Sequence, residues 1–86
     1  MKQSFSGAGL IELDLHGMSW VQAQAAIDAK IKRAPASVYR LRLIHGYHGG
    51  SVLKEQIRKT YKKHPKVLRL ELGLDPGITD LVLREF

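Results

Sequence analysis

Cysteine is missing from this chain altogether. Its absence excludes a disulfide framework and any thiolate metal centre, and it fits a protein expected in the reducing cytoplasm. Long apolar runs are missing too. None approaches the ~18–20 residues that span a bilayer, so no membrane partner is expected. The opening Met1-Lys2-Gln3-Ser4-Phe5-Ser6-Gly7-Ala8-Gly9 lacks the apolar core of a signal peptide and reads as a flexible leader over residues 1–9. Acidic residues are scarce, eight against fourteen basic ones, which leaves a net charge of +6 and a pI near 9.9. A small domain with that imbalance is a candidate for phosphate-rich partners.

What is present is enough for one globular domain, residues 10–86. Of the 86 residues, 44% are hydrophobic, too many for a disordered chain. Leu10 to Leu15 alternates, with Ile11, Leu13 and Leu15 on one face of a strand and Glu12, Asp14 and His16 on the other. Ser19 and Gln22 form a Ser-x-x-Gln capping box, and Trp20, Ala23, Ile27, Ile31 and Ala34 recur at helical spacing up to Pro35, which stops the helix. Val38 to His45 reads as a second strand, with Tyr39, Leu41 and Leu43 pointing one way and Arg40 and Arg42 the other. Ser51 then caps a second helix, whose buried stripe is Leu53, Ile57, Thr60 and Tyr61 and which His64-Pro65 ends. Val67 to Leu72 is a third strand, with Leu68, Leu70 and Leu72 inward. Asp75-Pro76-Gly77 supplies turn chemistry, and Thr79 to Phe86 is the last strand.

That order is β-α-β-α-β-β. The short turn makes the last two strands an antiparallel hairpin, and right-handed crossovers put both helices on one side of the sheet. The expected fold is therefore α/β, a two-layer sandwich with a four-stranded mixed sheet and two helices on one face. The other face should carry Glu12, Asp14, Arg40, Arg42, Arg69, Glu71 and Arg84 as a solvated, charged surface.

One device occurs twice. Leu13-Asp14-Leu15-His16-Gly17 ends the first strand and Ile44-His45-Gly46 ends the second, each followed by a serine and a helical pattern. If the strands are parallel neighbours, both histidines lie at one edge of the sheet, where open α/β sheets hold their ligands. Phosphodiester cleavage needs a base for the nucleophile, an acid for the leaving oxygen, and donors or cations for the phosphoryl oxygens. Imidazole supplies either proton-transfer role near neutral pH. Asp14 is placed to orient an imidazole, His16 and His45 to move protons, and Gly17 and Gly46 to turn the chain. Gly49-Gly50 ahead of Ser51 lets backbone N–H groups at a helix start approach a phosphate. Lys54 adds charge one turn in, Tyr47 is a stacking candidate, and His48 belongs to the same loop. Arg58, Lys59 and Lys62 form a basic stripe that only Glu55 opposes, which suits phosphate contact. The same residues admit a structural reading: strand-end histidines bonded to backbone, Asp14 holding a backbone N–H, glycines serving a turn. No cofactor is expected; Asp14 could ligate a divalent metal, but no residue pair has a recognisable short-range metal-ligand spacing that would indicate one.

Over about Leu10 to Phe86 the chain resembles the Smr (small MutS-related) domain, on the Leu-Asp-Leu-His-Gly stretch and on the second strand ending in Ile-His-Gly with a glycine-rich loop. The resemblance implies a fold similar to the C-terminal domain of bacterial translation initiation factor three. It also implies a nucleic-acid partner, RNA or DNA, with the ribosome as a further one, because Smr domains nick DNA or cleave RNA and several act on stalled ribosomes. Asp14, His16, Gly17, His45 and Gly46 occupy the matching positions. The chain departs from the family's His-Gly-x-Gly spacing, since glycine returns after Gly46 only at Gly49 and Gly50. It also carries Asp75-Pro76-Gly77-Ile78-Thr79 where Gly-Gly-x-Gly is usual. Two functions are compatible with these residues: an Smr-type endonuclease, and a non-catalytic nucleic-acid or ribosome-binding module of the same fold.

Overall fold

The computed structural model describes residues 2–5, 9–46, 50–73 and 75–85. Its elements in chain order are β1 (Lys2–Phe5), β2 (Leu10–Asp14), α1 (Trp20–Arg33), β3 (Arg40–Ile44), α2 (Gly50–Tyr61), β4 (Arg69–Glu71) and β5 (Ile78–Val82). Helix α1 starts where its caps dictate. The Ser19 hydroxyl accepts from Gln22 N at 3.2 Å, and the Gln22 side-chain oxygen accepts from Ser19 N at 3.0 Å, so two orphan donors of the first turn are satisfied. Lys30, Lys32 and Arg33 face the negative end of its dipole. Helix α2 already includes Gly50, so Ser51 is its second residue rather than the cap ahead of it.

The sheet runs β1-β2-β3-β5-β4. β2 and β3 are parallel, β5 is antiparallel to β3, and β4 is antiparallel to β5, as the sequence order requires. The mixed sheet and the two helices agree with expectation, but the sheet has five strands, not four. Within the expected leader, Lys2–Phe5 pairs antiparallel with β2 in the register Lys2↔Asp14 to Phe5↔Ile11. Backbone pairing needs no apolar alternation, so this strand leaves no hydrophobic period to read. Its effect is to satisfy the outer N–H and C=O groups of β2, which would otherwise be an open edge.

Ile11, Leu13, Leu15, Leu41, Leu43, Leu81 and Leu83 line the inner face of the sheet. Ala23, Ile27 and Ile31 of α1 and Leu53, Ile57 and Tyr61 of α2 close on them in a single core. Both helices thus cover the same face. Leu68 and Leu72, expected inward, are 58% and 54% exposed. They lie beyond both ends of a three-residue edge strand, where the core no longer reaches, and only Leu70 between them packs on it.

The other face is charged, but it is not loosely solvated. Asp80, buried in the middle of β5, accepts from Arg42 Nε and Nη2, both at 3.0 Å, and from Arg40 Nη1 at 2.7 Å. The second nitrogen of Arg40 reaches Glu71 at 2.7 Å, and Arg69 joins Glu71 to Glu85. Hydrogen bonds from Arg40 and then Arg69 hold the Glu71 carboxyl below the usual carboxylate range. This ladder ties β3, β5 and β4 together across the face.

Candidate functional site

The parallel pairing of β2 with β3 brings the two His-Gly turns to one edge. Leu15 N donates to Ile44 O at 2.8 Å, continuing the ladder one step past the strands. The antiparallel β5 begins at the same edge, and Gly77 O accepts from His45 N at 3.0 Å and Gly46 N at 3.1 Å. Gly17 and Gly46 both turn the chain with positive φ, +80° and +85°, which side chains disfavour. Gly46 is also close packed, since a Cβ there would lie 3.4 Å from Cβ of His16. The two turns therefore touch.

Asp14 and His16 form a pair. One carboxylate oxygen, Oδ1, lies 2.5 Å from His16 Nδ1 and accepts from the His16 backbone N at 3.2 Å. An ionised carboxylate only accepts, so Nδ1 carries the proton and Nε2 is the ring nitrogen that can exchange a proton with a ligand. The His16 side chain is 71% exposed, and the imidazole is thus oriented from behind and open in front.

His45 is placed differently. The register opposes Asp14 to Ile44, so His45 takes the same side as Leu43, toward the core. It is 1% exposed. Its Nδ1 faces Gly46 O at 3.2 Å and its Nε2 faces Thr79 Oγ1 at 3.0 Å. The carbonyl only accepts, which puts the proton on Nδ1 and makes Nε2 the acceptor of the Thr79 hydroxyl. Burial pushes the imidazole below the ordinary histidine range. The Gly46 carbonyl opposes that shift, and the nearby Lys54 and Arg58 charges reinforce it. The two histidines share an edge but not a face, and only His16 is open to a ligand. Strand parity carried this signal, because His45 continues the inward series Tyr39, Leu41, Leu43. Thr79, which saturates the buried ring, had no sequence signal.

Lys54 and Arg58 are half-buried on α2 and near enough to act on His45. Arg58 Nε is buried and has no hydrogen-bond partner among the described residues. Lys59 and Lys62 are exposed on the same helix. Gly50 and Ser51 open α2, while Tyr47, His48 and Gly49 lie outside the described residues. Among the described residues no three histidine, aspartate or glutamate side chains gather as a metal site would require. No described helix is long and apolar enough to cross a membrane.

The sequence pattern of the Smr domain matches residues 13–75. Among solved structures the chain is similar to the Smr domain of Thermus thermophilus MutS2. Identity is 28%, the match covers 86% of this chain and 98% of that one, and the TM-score is 0.76. No protein of curated function matches.

Proposed function

Because this chain belongs to the Smr domain family, a family of nucleic-acid-binding domains, we propose that it is an endonuclease acting on RNA or DNA, with His16 as its proton-transfer group. The observation that carries this reading is the Asp14–His16 pair at the open edge. Asp14 holds the ring by Nδ1; Nε2 takes the proton of the attacking hydroxyl as its oxygen bonds to phosphorus, the bond from phosphorus to the leaving-strand oxygen breaks, and that oxygen takes a proton from solvent. Lys54 and the cations farther along α2 draw the phosphate backbone to that edge. Imidazole in such a role contributes typically ~10²–10⁴-fold.

The test is single-turnover cleavage of RNA and of DNA, with and without a divalent metal, alongside separate affinity measurements. His16→Ala is expected to lower the cleavage rate by about 10²–10⁴-fold at unchanged affinity. Cleavage at the parental rate would remove His16 from the chemistry. The burial of His45 favours a second reading, a module that binds nucleic acid without cutting it, because the edge then offers one open imidazole where acid and base together need two groups. Salt-sensitive binding with no cleavage under any of these conditions is the outcome that would establish it.

A further inference from the structure

The basic residues are not evenly spread. On the sheet face Arg40, Arg42 and Arg69 are all paired with carboxylates. The helical layer carries Lys30, Lys32, Arg33, Lys54, Arg58, Lys59, Lys62 and Lys63 against only Asp28 and Glu55. Helix α2 starts at the His16 edge, after β3, and ends at the opposite edge, before the parallel β4. Its cations therefore form a track from one end of the domain to the other.

At the far end of that track is a cavity of about 330 Å³ between the end of α1, the α2–β4 connection and the end of β5. It is lined by Ile31, Lys32, Ala34, Lys66, Leu83 and Arg84: three cations from three segments, and no acid. Arg84 is held by one edge, its Nε donating to Val38 O at 2.8 Å, which leaves the two terminal nitrogens of the guanidinium for another acceptor. Lys66 is set by a bond from its backbone N to His64 Nδ1 at 3.1 Å. No carboxylate of the described residues pairs with Lys32, Lys66 or Arg84. Compensation of the α1 dipole accounts for Lys32. It does not account for Lys66 and Arg84, which belong to other segments.

We propose that this cavity is a second phosphate-binding site, filled by a backbone phosphate of the same strand whose other part lies at His16. The inference rests on the nucleic-acid reading above and adds a ruler to it. The twelve residues of α2 span about 18 Å. At ~3.4 Å per nucleotide along a stacked strand, about five or six nucleotides separate the two sites. Short oligonucleotides would reach one site and longer ones both.

Affinity for single-stranded oligonucleotides of about four, eight and twelve nucleotides, measured at several salt concentrations, tests this. For the parent protein we expect affinity to step up between about four and eight nucleotides. Lys66→Ala and Lys32→Ala are each expected to reduce the step and to lower the salt slope for the longer strands by about 0.7, with four-nucleotide binding unchanged. Arg69→Ala removes one charge from the sheet face and should change neither. Both lysines are exposed, so these variants keep the core. A parent with no length step, or lysine variants that bind every length like the parent, would overturn the second site and leave the nucleic-acid reading standing. A parent that binds no oligonucleotide at all would overturn both.

Discussion

The two histidines show how one step of strand parity decides what an imidazole can do. His16 follows the inward Leu15 and so emerges on the open side beside Asp14, whereas His45 follows the outward Ile44 and enters the core. The buried ring is held neutral mainly by burial, and its stability consequence has a definite sign. The folded-state value lies below the ~6.5 of an unfolded histidine. As pH falls below about 6.5, the unfolded chain therefore takes up a proton that the folded chain refuses. Stability from this group is complete above that pH and is lost, at up to about 1.4 kcal/mol per pH unit, until the folded ring itself titrates. Denaturant unfolding between pH 7.5 and 5 should show that loss in the parent protein and a shallower one in His45→Gln. An equal slope in both would mean that His45 titrates alike in the two states.

At the scale of elements, the sheet is locked on its helix-free side by charge rather than by apolar packing. Asp80 is the junction of that lock, buried while its guanidinium partners remain partly wet. Removing its charge with Asp80→Asn should cost about 2–3 kcal/mol, somewhat less than the loss of one partner from a fully buried pair. The measurement is equilibrium unfolding in urea, and a cost under about 0.5 kcal/mol would show that the arginines re-pair elsewhere. The strand pairing of β1 belongs to the same scale. It is a backbone event, so the composition of Lys2–Phe5 could not announce it, whereas β2, β3 and both helices were legible from apolar spacing and from the Ser19–Gln22 box.

For the molecule as a whole, the arginines Arg40, Arg42 and Arg69 of the sheet face are paired with carboxylates while the helical layer is mostly cationic, so phosphate is expected along the helical layer and around the edge where His16 stands. Substituting Lys59→Ala and Lys62→Ala together should lower affinity and reduce the salt slope by roughly 1.4–1.8, and, if the proposed cleavage is present, leave its rate at saturation near parental. Charge on an outer helix face acts about equally on bound substrate and transition state, which is why affinity and turnover separate. An unchanged salt slope would move the interface off α2.

The strand Lys2–Phe5 was not legible in the sequence by itself, whereas the β-α-β-α-β-β order of residues 10–86, both helices on one face and the two His-Gly turns at one edge were. All of these follow from local periodicity, capping and the handedness of crossovers, which act over a few residues at a time. The folded chain alone reveals that Asp80 gathers Arg40 and Arg42, that Thr79 saturates His45, and that Lys32, Lys66 and Arg84 line one cavity. Each of these joins residues far apart in the chain, and such contacts arise from strand register and the meeting of element ends, which no local spacing encodes.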